Sequence, residues 1–104
     1  MPPLALALLT TAFALPSLAD EIKSGKAKAQ SCAVCHGANG MAQMPGAPNL
    51  AGQPAMYVAE QLKNYRSGKR SNEIMNVIAK PLSDADINDL AAWYASIQIE
   101  VRQK

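Results

Sequence analysis

Residues 36–53 contain four glycines and two prolines, which excludes a regular helix or strand over about 18 residues. Ordered loops of this length are uncommon in a small domain, and those that occur usually serve a functional site. We therefore expect this loop to enclose something other than the helices or strands of the chain. The rest of the chain must provide the packed elements that hold this loop in place.

Hydrophobic periodicity predicts a helix on each side of the loop. The first is amphipathic and runs from Glu21 to about Ala33. The second begins at Pro54, which suits a first helical turn, and runs to about Arg66 before Ser67-Gly68 ends it. In this second helix an apolar face is formed by Val58, Leu62 and Tyr65.

The last third of the chain predicts one further long helix. A short apolar segment, Ile74 to Ala79, is ended by Pro81, and Ser83 with Asp86 then resembles a capping box. Apolar residues then recur at helical spacing almost to the end of the chain, at Ile87, Leu90, Ala91, Tyr94, Ile97 and Val101. No segment has the pattern of a strand, so the predicted fold class is all-α, with three to four helices around one core.

The first 19 residues differ from the rest because they contain 13 hydrophobic and no charged side chains. An apolar run from Leu4 to Leu15, then Pro16 and the small-x-small sequence Ser17-Leu18-Ala19, predicts a signal peptide cleaved after Ala19. The domain would then span residues 20–104. A retained membrane anchor would need about 20 apolar residues, and this run is shorter.

The remaining 85 residues are about 45% hydrophobic, and many of the apolar ones are alanine, which buries little area. A chain of this size has a weak core, so we expect an additional stabilising element. Two cysteines exclude a disulfide-rich framework, and a net charge of +2 excludes a strongly basic nucleic-acid-binding protein.

The most specific motif is Cys32-Ala33-Val34-Cys35-His36, because Cys-x-x-Cys-His is the attachment signature of c-type haem. On a helical backbone both thiols lie on one face, where they can reach the two vinyl groups of one porphyrin, and His36 can bind the iron. A zinc site would need a fourth ligand, and a thioredoxin-like redox pair would need strands. A plain disulfide between the two cysteines remains an alternative.

A second axial ligand decides between electron transfer and chemistry on a bound small molecule. With no second histidine in the chain, the candidates are Met41, Met44, Met56 and Met75. Met41 and Met44 follow His36 too closely to cross to the opposite face of the ring. Met75 stands 39 residues beyond His36 and is the expected ligand, with a plain core methionine as the alternative.

These residues resemble the class I cytochromes c, particularly the short bacterial periplasmic type that occurs singly or as tandem di-haem proteins. The resemblance covers Ile22 to Ile97. Beyond the haem motif it rests on Ser24-Gly25-Lys26-x-Lys28, Pro48-Asn49-Leu50-Ala51-Gly52-Gln53, Tyr57-x-x-x-Gln61-Leu62, Arg66-x-Gly68-x-Arg70-x-Asn72, Met75, Leu82-Ser83-x-x-Asp86-Ile87 and Leu90-Ala91.

The resemblance implies specific roles for several residues. Pro48 would offer its carbonyl to the second ring nitrogen of the axial histidine, and Met75 matches the family's methionine ligand. Gly25 matches the small residue at which the first and last helices cross, packed by Trp93 or Tyr94. Arg70, in a basic cluster with Arg66 and Lys69, is either solvated or in contact with a haem propionate.

The implied function is that of a periplasmic one-electron carrier, not an enzyme, with one covalent haem c and axial ligands His36 and Met75. Its partners would be redox proteins of the periplasm, with no nucleic acid and no membrane span in the mature form. The alternative is a haem protein whose methionine ligand is displaceable, which would act as a small-ligand sensor or a peroxidase-like enzyme.

Overall fold

The computed structural model describes residues 1–12 and 14–104. Phe13, part of the predicted signal peptide, lies outside the described residues. Over the described chain the regular structure is helical, as predicted, and comprises α1 Leu18–Lys28, α2 Ala33–His36, α3 Ala55–Ser67, α4 Glu73–Ala79 and α5 Asp84–Ser96, with a 3-10 turn Ala29–Cys32 between α1 and α2.

The core lies where α5 packs against α1 on one side and α3 on the other, while α4 packs on α3. Its buried centre is formed by Ala29, Leu90 and Tyr94. Around this centre lie half-buried hydrophobic residues that keep part of their surface uncovered, namely Cys32, Leu50, Leu62, Leu82, Trp93 and Ile97. The helices therefore bury a small centre completely and its surroundings only in part.

Helices α1 and α5 cross at Gly25, which is buried. A Cβ atom at this position would overlap the main-chain carbonyl oxygen of Asp89 and lie 2.8 Å from Cβ of Trp93. Only glycine allows so close an approach of the two backbones. The predicted crossing is therefore present, and Trp93, not Tyr94, is the aromatic that contacts Gly25.

A polar cluster reinforces the crossing one turn further along α1. Lys28 Nζ lies 2.9 Å from Asp86 Oδ1 and 2.6 Å from Asp89 Oδ2, and Ser24 Oγ donates a hydrogen bond to Asp89 Oδ2 at 2.9 Å. These contacts raise the pKa of Lys28, with Asp89 contributing most, and Lys28 lowers the pKa of Asp89 in turn. The cluster ties α1 to α5 through charges that remain partly hydrated.

Helix α1 begins at Leu18, three residues before the predicted start at Glu21. Ser17 caps it, because Ser17 Oγ accepts from the Asp20 N–H at 3.1 Å and the Asp20 carboxylate accepts from the Ser17 N–H. The helix therefore crosses the predicted cleavage point after Ala19. Residues 1–12 and 14–16 are exposed and have no helix.

Helix α5 starts as predicted, with Ser83 and Asp86 forming a capping box. The prediction that the helical pattern continues to Val101 is wrong. The helix ends at Ser96, and Ile97 is extended. The carbonyl of Tyr94 accepts hydrogen bonds from the N–H groups of both Ile97 and Gly52. The loop thus bonds to the last helical turn, and Ile97 and Ile99 beyond it lie beside Gly52 of the loop instead of continuing the helix.

The boundaries of the other helices agree closely with prediction. Pro54 is the N-cap of α3, and Gly68 ends it with a φ of 84°, which suits glycine. The short apolar segment is helix α4, capped by Asn72, whose side chain accepts from the N–H groups of Ile74 and Met75. Among the described residues, no helix has the length and apolar character needed to cross a membrane.

Replacement of Gly25 tests the close crossing of α1 and α5. We expect Gly25→Ala to lower the free energy of unfolding by about 1–3 kcal/mol, because the added methyl group overlaps the Asp89 carbonyl. At an open helical position the same change would stabilise by about 0.5–1 kcal/mol, so the sign of the effect is diagnostic. Chemical denaturation measures it, with Lys23→Ala on the exposed face as control.

Acid titration tests the Lys28 cluster. Lys28, followed by Ser83, holds the pKa of Asp86 at about 2, below the ordinary value of 3.8. The carboxylate therefore stabilises the folded state above pH about 4, and this contribution is lost as the pH falls towards 2. We expect Asp86→Asn to be less stable than the unsubstituted protein at pH 7, with the gap closing over that range. An equal gap at pH 7 and pH 2, or a similar effect of Glu100→Gln, would contradict this.

Candidate haem-binding site

His36 is the last residue of α2 and is buried, with 7% of its surface exposed. The next residue, Gly37, turns the chain sharply with a φ of 82°. A Cβ at Gly37 would overlap the carbonyl oxygen of Met41. Glycine is therefore required here for the loop to fold back over the histidine.

The loop returns to the motif through main-chain hydrogen bonds. The N–H groups of Gln43 and Met44 donate to the Cys35 carbonyl, and those of Leu50 and Ala51 donate to the Gly40 carbonyl. Asn49 Oδ1 accepts from the N–H of Ala42 at 2.7 Å. These bonds fold the predicted irregular segment into a compact strap around α2.

The strap brings the Pro48 carbonyl oxygen to 2.9 Å from His36 Nδ1. Because a carbonyl oxygen can only accept a hydrogen bond, Nδ1 carries the proton and donates the bond. Nε2 of the neutral ring therefore keeps a free electron pair. In metal sites, a hydrogen bond from one ring nitrogen of a histidine commonly orients the other ring nitrogen towards the metal. The contact that the resemblance implies between Pro48 and His36 is thus present in the structure.

Cys32 and Cys35 are both half-buried free thiols. Cys35 Sγ lies 3.4 Å from Met44 Sδ, which places Met44 beside the motif. Cys32 packs against the buried centre that contains Tyr94. The two thiols are thus available for covalent bonds, and the half-buried Leu50, Leu62 and Leu82 provide apolar surface around the same centre.

The four candidate methionines differ in their surroundings. Met41, Met44 and Met56 are 44%, 47% and 87% exposed, whereas Met75 is half-buried in the first turn of α4. Met75 is therefore the least exposed of the four, and it is also the methionine that the sequence predicts as the ligand.

Two asparagines hold the segment that carries Met75. Asn72 Oδ1 accepts from the Met75 N–H at 2.9 Å, and Asn76 Oδ1 accepts from the Asn72 N–H at 2.7 Å. Asn76 Nδ2 donates to the carbonyls of Tyr65 and Arg70, both at 2.8 Å. Asn76 was not among the predicted site residues, although its spacing of four from Asn72, on either side of Met75, was a usable signal.

The basic cluster has specific protein partners. Arg66 donates to the Leu82 carbonyl at 3.0 Å and to Asp84 Oδ1 at 2.8 Å, so it ties α3 to the start of α5 and lowers the pKa of Asp84. Arg66 is therefore not simply solvated, since it donates to a carbonyl and a carboxylate of the segment that starts α5.

Arg70 is held by α3, the helix that precedes it. Its guanidinium donates to Gln61 Oε1 at 2.8 Å and lies 4.8 Å from the centre of the Tyr65 ring. These contacts fix the side chain near the surface of α3. Contact between Arg70 and a propionate stays a prediction.

An apolar groove of about 450 Å³ lies elsewhere, between α1, α3 and α5, and is lined by residues that include Ile22, Met56, Ala59, Ala91 and Ala95. None of the motif residues lines it. The groove is therefore not part of the candidate site.

The donor set fits a c-type haem. Two free thiols and a buried imidazole with Nε2 unprotonated stand together on α2 and the turn before it, and a half-buried thioether stands on a separate helix, α4. The hydroxyl of Tyr94, beside Cys32, is buried and has no hydrogen-bond partner among the described residues. Thiols that can form covalent links, with an imidazole and a thioether that can bind iron, are the side chains that a c-type haem requires.

Comparison with known proteins gives a consistent answer. The cytochrome c family profile matches residues 22–98. Cytochrome c-554(548) of Halomonas halodenitrificans is 41% identical over 81 residues, which cover 75% of this chain and 98% of that protein. A thiosulfate dehydrogenase electron acceptor of Thiomonas intermedia is 44% identical over 72 residues, covering 68% of this chain and 33% of that protein.

The fold has a solved counterpart in the cytochrome c4 structure from Acidithiobacillus ferrooxidans, with a TM-score of 0.71 and 36% identity. The match covers 74% of this chain and 49% of that one. This chain thus spans about half of the cytochrome c4 and about a third of the Thiomonas protein. From the family match, the shared helical fold and the motif, the chain belongs to the cytochrome c family, whose cofactor is a covalently attached c-type haem with its iron.

Proposed function

We propose that this protein is a one-electron carrier of the periplasm. The observation that carries the proposal is the buried His36 ring, whose Nδ1 is bound to the Pro48 carbonyl so that Nε2 is left to bind iron. Haem supplies a one-electron ferric/ferrous couple when bound. The residues of this chain hold that group, orient its iron and exclude water from it.

Cys32 and Cys35 make the attachment permanent. As free thiols one helical turn apart, they can each form a thioether with one vinyl group of the same ring. The covalent links keep an apolar group in place where the helices leave Leu50, Leu62 and Leu82 only half-covered. Attachment thus also contributes to the stability of the fold.

We propose that His36 and Met75 are the two residues that would bind the haem iron. The Pro48 carbonyl restrains the orientation of His36, while Asn72 and Asn76 restrain the backbone at Met75. Because both ligands are held by the protein, little rearrangement accompanies a change of oxidation state. A filled sixth position also leaves no open site for a substrate, which favours a carrier over an enzyme.

Export of the protein is proposed from residues 1–19, which would be removed after Ala19. The partners would then be redox proteins of the same compartment. One relative is named as the electron acceptor of a thiosulfate dehydrogenase, so a dehydrogenase of this kind is one class of donor to test.

Purification from the periplasm tests attachment and export together. We expect a denaturing gel of the protein to retain haem-linked peroxidase stain, because thioether bonds survive unfolding. Amino-terminal sequencing should begin at Asp20. Loss of stain in the unsubstituted protein would contradict the haem proposal, and a chain that starts at Met1 would contradict export by cleavage. Cys32→Ala combined with Cys35→Ala is the matched control without stain.

Replacement of Met75 tests the axial ligand. In the oxidised protein we expect a methionine–iron charge-transfer band that is lost in Met75→Ala, with a lower reduction potential, because a methionine ligand paired with histidine raises the potential. Met56→Ala is the control, since Met56 is 87% exposed on α3 and should leave the band unchanged.

The same spectra distinguish the proposed carrier from the alternative function. If the unsubstituted protein lacks the band and binds carbon monoxide readily when reduced, the sixth position is displaceable. The protein would then be a sensor or a peroxidase-like enzyme instead of a carrier.

A further inference from the structure

Tyr94 is the most deeply buried polar side chain of the core, with 1% of its surface exposed. Its hydroxyl has no hydrogen-bond partner of acceptable geometry among the described residues. A buried hydroxyl without a partner destabilises the folded state, so native proteins seldom keep one. The position of this hydroxyl therefore needs an explanation beyond the packing of its ring.

Cys32 is the neighbour that faces the hydroxyl. The thiol packs against the buried centre formed by Tyr94 with Ala29 and Leu90. Burial raises the pKa of Tyr94, and the charge and hydrogen-bonding capacity of Cys32 raise it further. The sulfur and the phenol are thus side by side, although the thiol does not complete a well-formed hydrogen bond.

Thioether formation changes what Cys32 can offer. A thiol is both a weak donor and a weak acceptor, whereas a thioether sulfur has only lone pairs and can only accept. Tyr94 is a donor that lacks an acceptor. The attached sulfur can therefore accept the hydrogen bond that the Tyr94 hydroxyl is able to donate.

We propose that Tyr94 is a positioning residue that donates its hydroxyl hydrogen bond to the Cys32 sulfur once haem is attached, and that this bond raises the reduction potential. This inference rests on the haem attachment proposed above. It assigns α5 a part in tuning the site, beyond its packing against α1 and α3.

The direction of the effect follows from electrostatics. The hydroxyl dipole would place its positive hydrogen next to a sulfur bonded to a side group of the ring that holds the redox-active iron. Reduction adds one negative charge, so a positive dipole end stabilises the reduced state more than the oxidised state. Burial increases the effect because water does not screen it, and hydrogen bonds to sulfur ligands tune potentials in other metal centres.

A role in packing alone makes a different prediction. If Tyr94 only fills the core, removal of its oxygen would leave the potential unchanged and would relieve an unsatisfied polar group. Tyr94→Phe keeps the ring and removes only the hydroxyl, so it separates the two roles.

The experiment measures the reduction potential of the haem-loaded Tyr94→Phe protein by spectroelectrochemical titration. We expect the equilibrium constant for reduction to fall about threefold, which is about 28 mV for a one-electron couple. Tyr57→Phe is the matched control, because Tyr57 is 47% exposed on α3 and its hydroxyl should not affect the potential. An unchanged potential in Tyr94→Phe, or an equal shift in both variants, overturns the inference.

A double-mutant cycle tests whether the effect passes through Cys32. In a Cys32→Ala background, with the ring held by Cys35 alone, Tyr94→Phe should no longer shift the potential. A shift of the same size in that background would show that the hydroxyl acts elsewhere and would overturn the inference.

A measurement on the unsubstituted protein covers the case in which a variant fails to accumulate. In the reduced, diamagnetic protein the Tyr94 hydroxyl proton should exchange slowly with water and show a nuclear Overhauser contact to the Cys32 β protons. A rapidly exchanging proton, or contacts only to other groups, overturns the inference. Haem stain on the same sample separates this outcome from failure of the proposed function, which would show no stain at all.

Discussion

The structure depends on a small core whose surrounding hydrophobic residues are only partly covered by the polypeptide. Among the described residues the fully buried large side chains are Tyr94 and Ile87, and most of the other buried hydrophobic positions are alanines. Leucines on the loop, on α3 and before α5 approach the same centre and stay partly uncovered. A flat apolar group with a large surface complements such an interior, because burial of apolar area is the main favourable term in folding. Cofactor binding and folding are therefore two aspects of the same packing problem.

Much of the fold follows from local chemistry and could be predicted. The proline at the start of α3, the glycine at its end and the capping box of α5 act within a few residues, so the sequence alone indicates them. The end of α5 could not be predicted in this way. It is set by Gly52, whose N–H donates to the Tyr94 carbonyl from a loop more than 40 residues earlier. The capping box at Ser17 was missed for another reason, since the same residues also match a cleavage site.

The site shows the same division. Cys32, Cys35 and His36 are contiguous and therefore recognisable, and the family pattern pointed to Pro48 and Met75. The residues that support them were not evident, because their roles arise from tertiary contacts. Asn76 joins α4 to the end of α3, and Arg66 joins α3 to the carbonyl of Leu82. Asparagine and arginine occur throughout protein surfaces, and only the fold shows which of them bridge two helices.

The crossing of α1 and α5 has a consequence for the order of events during synthesis. Ser24 and Asp89 are 65 residues apart, so the glycine-mediated contact joins the beginning of the domain to its end. The haem motif leaves the ribosome long before α5, and it cannot be enclosed until that last helix exists. Contacts between distant segments form late in folding. The topology thus makes closure of the core around Cys32 a step that requires the whole domain.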